Sequence, residues 1–312
     1  MPLHPQVKGL LDNVAASGIP PFHQMTPESC RATFKQLFGA LPPSTAKIAG
    51  TKDIKIPGPA GAIPARVYTP EGKGPFPVLV YMHGGGWVIG DIEGYENVCR
   101  ELCGGSQAVV VSLDYRLGPE HKFPAATDDC LAAVRWVGEH AAEIGADAKR
   151  IAVGGDSAGG NLAAVTALRL RDEGGPRLAA QLLIYPVTDH YTKNTVSMVK
   201  NAEGFLLTRQ DMVWFSDYYL RTEADVKNPH FAPLRAKSLA GLAPALVLTA
   251  EFDPLCDEGE EYAARLKDAG VPTKLSRYDG AIHGFFGFFS VLDLGRAGMD
   301  ESCRWLKERF AA

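Results

Sequence analysis

The chain has 312 residues, of which 46% are hydrophobic, with six cysteines and with 32 Lys and Arg against 36 Asp and Glu. This ordinary globular composition allows one large domain with an accessory part, or two smaller domains, and six cysteines are too few for a disulfide scaffold. The net charge of −4 is spread along the chain and supplies no basic stripe for phosphates, so we expect no nucleic-acid partner.

The predicted strands are short apolar runs separated by longer segments of helical periodicity. The strands cover residues 52–57, 63–69, 78–82, 108–113, 151–153, 182–185, 245–249 and 273–278. The helices cover about 95–103, 125–142, 158–171, 257–269 and 296–310. The turn Gly58-Pro59-Ala60-Gly61 predicts a hairpin from the first two strands. Most later strands are continuous apolar runs, as in strands buried on both faces, so the alternation predicts an α/β fold with a mostly parallel sheet.

Two segments interrupt this alternation. Residues 1–45 place apolar side chains at helical spacing, with a second helix start at Thr26-Pro27. Residues 187–230 lack a strand pattern and carry several aromatic side chains. We predict that both segments form a helical cap over the carboxyl edge of the sheet, and that residues 46–186 and 231–312 form the α/β domain. The alternative is that they are peripheral helices whose aromatic side chains complete the core.

The spacing of the cysteines and the length of the apolar runs indicate the cellular compartment of the protein. Cys99 and Cys103 are four apart and the other cysteines are scattered, so the spacing does not match paired zinc ligands, and we expect buried free thiols and no metal. No apolar run approaches the length that spans a bilayer, and Met1-Pro2-Leu3-His4-Pro5 lacks the charged start of a signal peptide. These features predict a cytoplasmic protein without a membrane span.

The sharpest local signal is Gly155-Asp156-Ser157-Ala158-Gly159-Gly160, which follows the strand 151–153 and precedes a helix of small residues. In this setting a G-x-S-x-G motif predicts a strained turn that exposes the Ser157 hydroxyl at the start of a helix, as a nucleophile requires. The alternative is a glycine-rich turn that binds a phosphate.

A serine nucleophile needs a base that accepts its proton and an acid that orients the base. Asp253 follows the strand 245–249, and His283, which follows the strand 273–278, is the only histidine after Asp253. The order Ser157, Asp253, His283 is the chain order of α/β-hydrolases, and it predicts a catalytic triad. Glu251 and Asp257 are weaker alternatives for the acid.

A tetrahedral intermediate also needs donors directed at its oxyanion. The loop His83-Gly84-Gly85-Gly86-Trp87 follows the strand 78–82, where such a loop belongs. We predict that the N–H groups of Gly84, Gly85 and Ala158 form the oxyanion hole, and that His83 fixes the loop and is not a second base. The alternative is a flexible turn.

These motifs together resemble those of the hormone-sensitive-lipase-type esterases, the bacterial family IV carboxylesterases of the α/β-hydrolase superfamily. The resemblance covers about residues 50–310. Its motifs are His83-Gly84-Gly85-Gly86-Trp87, Asp114-Tyr115-Arg116-Leu117-Gly118-Pro119-Glu120, Gly155-Asp156-Ser157-Ala158-Gly159-Gly160, Asp253-Pro254-Leu255 and His283-Gly284-Phe285. It implies an eight-stranded, mostly parallel sheet with a helical cap, hydrolysis of short- to medium-chain acyl esters without a cofactor, and a homodimer formed through the edge strand near 273–278.

The sequence departs from the family pattern at two positions. Gly118 stands where the family usually has Ala, and Cys256 stands where Arg is common in the segment after Asp253. The second departure leaves open how the loop after Asp253 is stabilised.

The expected substrate is a small ester that acylates Ser157. Five aromatic side chains are predicted to narrow its pocket, which favours acyl chains of a few carbons over long lipids. They are Trp87, Phe205, Trp214, Phe215 and Phe285. Acyl transfer or amide hydrolysis on the same triad is the first alternative. A hydrolase-fold receptor that only holds its ligand is the second, although all three triad positions carry competent residues.

Overall fold

The computed structural model describes residues 2–312, and its central element is an eight-stranded sheet. The strands are β1 (Gly50–Gly58), β2 (Gly61–Thr69), β3 (Phe76–Met82), β4 (Val109–Leu113), β5 (Ala146–Asp156), β6 (Leu178–Ile184), β7 (Ala245–Phe252) and β8 (Thr273–Ile282). Their order in the sheet is β1-β2-β4-β3-β5-β6-β7-β8. The pairs β1–β2 and β2–β4 are antiparallel, and all the other pairs are parallel. The predicted mostly parallel α/β fold is therefore confirmed.

The α-helices of residues 2–312 follow in chain order. They are α1 (Pro5–Ala16), α2 (Pro27–Gly39), α3 (Glu96–Ser106), α4 (Ala125–His140), α5 (Ala158–Glu173), α6 (Val196–Lys200), α7 (Arg209–Tyr219), α8 (Cys256–Asp268) and α9 (Asp293–Ala311). The hydroxyl of Thr26 accepts the N–H of Ser29 at the start of α2, and Gly270 ends α8 with a φ of +77°. Within residues 2–312, no helix is both long enough and apolar enough to cross a bilayer.

The core consists of the inner strands and the helix faces that cover them. Every residue of β4 is buried, as expected for an apolar strand enclosed on both faces. The six cysteines are buried and free, so the prediction of buried thiols is confirmed. The hairpin predicted at Gly58-Pro59-Ala60-Gly61 is also confirmed, because Gly58 pairs with Gly61 at the end of the β1–β2 ladder.

The carboxyl ends of four parallel strands meet at one edge of the sheet. The glycine loop 83–87 follows β3, Ser157 follows β5, Asp253 follows β7 and His283 follows β8. Because these strands run in the same direction, the four segments lie at the same edge.

The N-terminal segment (residues 2–45) and the inserted segment (residues 187–230) contact each other. The rings of Phe22 and Phe215 have centroids 5.7 Å apart. The buried carboxylate of Asp211 lies 2.7 Å from His23 Nδ1 and also accepts the His23 N–H at 3.0 Å.

Gly118 is a point at which both segments approach the α/β part of the chain. Its carbonyl accepts a hydrogen bond from Arg31 Nη2 of the N-terminal segment at 2.8 Å. A Cβ at Gly118 would lie 2.7 Å from the carbonyl oxygen of Tyr218 in the inserted segment. The absence of a side chain therefore permits this close approach.

Strand β8 is the last strand of the sheet order. The N–H of His4 donates to the carbonyl of Gly280 at 3.1 Å, so the N-terminal segment contacts the far end of β8. The homodimer through the strand near 273–278 stays a prediction.

Candidate active site

Ser157 occupies a strained turn between β5 and α5, with φ 56° and ψ −119°. A non-glycine residue rarely adopts a positive φ, and such strain is often retained at functional sites. Gly155 and Gly159 make the turn possible, because a Cβ at either position would overlap the carbonyl oxygen of Met82. The flanking glycines of the motif thus allow β3, β5 and α5 to pack closely around Ser157.

Three side chains from separate loops form one continuous hydrogen-bonded chain. His283 Nε2 lies 2.9 Å from Ser157 Oγ, and His283 Nδ1 lies 2.7 Å from Asp253 Oδ2. Asp253 is fully buried, and its Oδ1 accepts the N–H of Leu255 at 2.8 Å. With Nδ1–H donated to Asp253, the Nε2 lone pair of His283 faces the Ser157 hydroxyl, as proton transfer requires.

The two alternative acids face other groups. Glu251 Oε2 accepts the N–H of Gly280 at 2.9 Å, and Asp257 Oδ2 accepts the N–H of Ser197 at 2.7 Å. Of the three carboxylates considered from the sequence, the structure places that of Asp253 within hydrogen-bond distance of His283.

Tyr185, at the end of β6, was not singled out from the sequence. Its ring centroid lies 4.5 Å from that of His283, and its backbone has a φ of +33°. The phenol therefore packs on the imidazole and limits its rotation. A bulky aromatic at the carboxyl end of a central strand was the available signal.

The structure corrects the prediction for Gly84. The Gly84 N–H donates to Tyr95 Oη at 3.0 Å and to Asp156 Oδ1 at 3.1 Å. Both acceptors are buried, so this N–H is already bonded and is not available to an oxyanion. Its bonds instead fix the start of the loop.

The next two glycines of the loop border the cavity above Ser157. Gly85 and Gly86 have φ values of +112° and +59°, which turn the chain so that other backbone groups face the cavity. Within residues 2–312, neither N–H has a protein acceptor. The available donors are therefore those of Gly85 and Gly86, together with Ala158 at the start of α5, where first-turn N–H groups lack intrahelical partners.

Asp156 links the serine turn to the glycine loop, a role that the sequence motifs do not predict. Its Oδ1 accepts the Tyr81 hydroxyl at 2.8 Å, and its Oδ2 accepts the Tyr95 hydroxyl at 2.9 Å. Burial raises the pKa of this carboxyl, and the hydrogen bonds from Tyr81 and Tyr95 oppose that effect. Its position directly before Ser157 was the signal in the sequence.

His83 is a buried part of the loop. Burial lowers the pKa of its imidazole to about 4, so the ring is neutral at pH 7. Its Nδ1 lies 2.7 Å from the carbonyl of Gly84, and the Tyr115 hydroxyl donates to the carbonyl of His83 at 2.7 Å. These contacts agree with the expectation that His83 fixes the loop.

The cavity above Ser157 has an empty volume of about 880 Å³, including its open mouth. The N-terminal segment contributes Phe22, Phe34, Leu37 and Phe38 to its wall. The inserted segment contributes Leu206, Leu207, Met212 and Phe215. Ser157 and His283 lie at its base among mostly apolar side chains, an arrangement suited to a small molecule with one reactive polar group.

Two of the five predicted pocket residues, Trp87 and Phe215, border this cavity. The other three do not border the cavity, so the structure corrects those predictions. Phe205 packs on Phe252 with a centroid distance of 5.2 Å. Trp214 packs on Tyr218 with a centroid distance of 4.7 Å. Phe285 packs on Tyr278 with a centroid distance of 4.8 Å. The sequence shows that a residue is aromatic but not which way its side chain is turned.

Comparisons with known proteins agree with this geometry. A family model described as alpha/beta hydrolase fold matches residues 79–287. The carboxylic ester hydrolase LipN of Mycobacterium tuberculosis is 48% identical over 278 residues, covering 87% of this chain and 73% of LipN. An arylesterase of Saccharolobus solfataricus is 38% identical over 291 residues, covering 92% and 93% of the two chains. The structure of a hyperthermophilic esterase from the archaeon Pyrobaculum calidifontis matches with a TM-score of 0.94 and 42% identity over the whole of both chains.

Proposed function

The chain belongs to the alpha/beta hydrolase fold family and is a carboxylic ester hydrolase, and we propose that it hydrolyses short- to medium-chain acyl esters through an acyl-enzyme on Ser157. The observation that carries this proposal is the chain of contacts from Asp253 through His283 to Ser157, at 2.7 and 2.9 Å. It ends at the base of an apolar cavity with room for an ester.

The first half of the proposed reaction transfers the acyl group to the enzyme. Ser157 Oγ attacks the ester carbonyl carbon while His283 Nε2 accepts the hydroxyl proton. The tetrahedral intermediate collapses when His283 returns that proton to the departing alcohol. The buried carboxylate of Asp253 stabilises the imidazolium that exists between the two transfers.

The second half repeats these steps with water. His283 accepts a proton from the water that attacks the acyl carbon, and then protonates Ser157 Oγ as the carboxylic acid departs. In both halves, the N–H groups of Gly85, Gly86 and Ala158 donate to the negative oxygen. Removal of one such donor typically costs on the order of a hundredfold in kcat.

The cavity supports the expected substrate size. Its wall is apolar and is formed from both helical segments, so together they act as a cap that closes over an acyl or alcohol group of limited length. A series of p-nitrophenyl esters from acetate upward tests this, and we expect kcat/KM to fall at long chains. A continued rise through long chains would contradict the size limit.

The decisive experiment combines an active-site label with a serine variant. We expect a fluorophosphonate to add one covalent mass to the wild-type protein and none to Ser157→Ala, and Ser157→Ala to lose several orders of magnitude in kcat. Ser238→Ala, at an exposed serine, is the matched control and should label and turn over as wild type. Labelling of Ser157→Ala would overturn the proposal.

Acyl transfer would use the same acyl-enzyme. Product analysis in the presence of a competing alcohol separates it from hydrolysis, because transfer yields a new ester and hydrolysis yields the acid.

A further inference from the structure

Helix α6 of the inserted segment and the residue that ends it turn two polar side chains inward, beside the buried Met198. Ser197 and Asn201 are four residues apart, on one side of the helix, and are only 6% and 2% exposed. Val196 and Val199 are 75% and 61% exposed. Burying polar groups while exposing valines is unfavourable unless the inward groups form specific bonds.

Asn201 forms such bonds with the turn that carries the acid. Its side-chain Nδ2 donates to the carbonyl of Glu251 at 3.1 Å and to the carbonyl of Asp253 at 3.1 Å. One amide group from the inserted segment therefore joins the end of β7 to the residue that contacts His283. The carbonyl of Asp253 also accepts the N–H of Cys256 at 3.1 Å.

Ser197 binds the other end of the same turn. Its hydroxyl donates to the carbonyl of Pro254 at 2.8 Å and accepts the N–H of Asp257 at 3.1 Å. Its own N–H donates to Asp257 Oδ2 at 2.7 Å. Ser197 thus contacts both the backbone and the side chain of Asp257, near the start of α8.

We propose that Asn201 and Ser197 are positioning residues that hold the turn 253–257 so that Asp253 stays within hydrogen-bond distance of His283. This inference rests on the proposed function, because it assigns Asp253 as the acid of the triad. It gives the inserted segment two roles, since Leu206 and Leu207 of the same segment border the substrate cavity.

The physical reason is that catalysis depends on small distances. A displacement of about 1 Å in a catalytic group can cost on the order of a hundredfold in rate. Asn201 does not border the cavity, so its loss should change the orientation of Asp253 without changing the surface that binds substrate.

The test compares Asn201→Ala, Asn201→Asp and the matched control Lys200→Ala, an exposed residue of the same helix. Fluorophosphonate titration first gives the active fraction of each protein, so that kcat is expressed per reactive serine. We expect Asn201→Ala to lower this kcat about tenfold on p-nitrophenyl acetate with little change in KM. We expect Asn201→Asp to be slower still, because a carboxylate would face two carbonyl oxygens. Lys200→Ala should match wild type.

The pH profile separates positioning from loss of folded protein. A weakened contact between Asp253 and His283 supports the imidazolium less, so the acid limb of kcat/KM should move to lower pH in Asn201→Ala. Ser197→Ala should produce a smaller change of the same kind, and it remains a test if Asn201→Ala does not fold.

Wild-type kcat per reactive serine together with a wild-type acid limb in both variants would overturn the inference. Failure of the proposed function would look different, because the wild-type protein itself would then take up no label on Ser157.

Discussion

The N–H of Gly84 lies 3.1 Å from Asp156 Oδ1, which joins the first glycine of the loop 83–87 to the residue before Ser157. Tyr95 completes a ring of bonds, since its hydroxyl accepts the same N–H and donates to Asp156 Oδ2. A buried carboxylate therefore sets the distance between the loop donors and Ser157.

Removing this carboxylate should impair catalysis more than removing one of its partners. We expect Asp156→Ala to lower kcat on p-nitrophenyl acetate by about tenfold to a hundredfold, because the N–H groups of Gly85 and Gly86 would no longer be held at a fixed distance from Ser157. Asp156→Asn keeps one oxygen for the Gly84 N–H and should be milder, as should Tyr95→Phe. Steady-state kinetics per titrated serine measure the effect. Equal rates for Asp156→Ala and wild type would contradict this role.

Arg31 joins α2 to Val88, the residue that follows the glycine loop. Its Nε donates to the carbonyl of Val88 at 2.8 Å, and its two terminal nitrogens bind Glu120 at 2.8 and 2.7 Å. We expect Arg31→Met to lower kcat/KM about tenfold, and Arg31→Lys to be intermediate because an ammonium cannot reproduce this fork. The control is Lys35→Ala, an exposed position of α2. An Arg31→Met protein with wild-type kinetics would contradict the expectation that these contacts of Arg31 support catalysis.

Phe215 should limit substrate length. It borders the cavity, and its ring occupies the space that a Cβ at Gly86 would need. We expect Phe215→Ala to raise kcat/KM for longer p-nitrophenyl esters relative to acetate, while costing about 3 kcal/mol in unfolding free energy. Trp214→Ala is the matched control: it should cost a similar amount without changing the chain-length preference. Parallel shifts in both variants would count against this assignment.

Glu258 should make stability depend on pH. Burial raises the pKa of its carboxyl to about 8 from the ordinary value of 4.5, and its Oε1 accepts the N–H groups of Thr188 and Asp189. Between those two pH values the folded protein holds a proton that the unfolded chain has lost. The contribution of Glu258 to the free energy of unfolding is therefore complete below about pH 4.5 and is lost as the pH rises to 8.

Glu258→Gln mimics the protonated side chain and removes this dependence. We expect the variant to gain unfolding free energy over wild type from pH 5 to pH 8, with an upper slope of about 1.4 kcal/mol per pH unit for one proton. Urea unfolding at pH 5, 6.5 and 8 measures the difference. The same pH dependence in both proteins would show that Glu258 does not hold the proton.

The contacts among Ser157, His283 and Asp253 could be predicted from the sequence because two simple rules apply to these residues. Parallel strands bring their carboxyl ends together, and Ser157, Asp253 and His283 each follow such a strand. The order of the residues then matched a known chain order. No side-chain direction had to be known, since each residue lies in a short loop at the same edge.

The directions of side chains and of backbone N–H groups could not be predicted from the sequence. Which glycine N–H is free depends on the side chains of Asp156 and Tyr95, and no local pattern around Gly84 shows that they approach it. Asn201 belongs to no motif, and the role proposed for it rests on contacts that only the structure shows. Contacts between segments that are distant in the sequence thus determine which groups face the site, and local sequence patterns do not show this.

The double contact at Gly118 limits how segments can be exchanged between relatives. A chimera that takes residues 187–230 from a protein with Ala at this position brings a segment shaped around a methyl group, and would leave a gap beside Gly118. Placing Ala here without changing that segment would force the Tyr218 carbonyl outward by contact. Exchange of the inserted segment therefore requires residue 118 to be transferred with it.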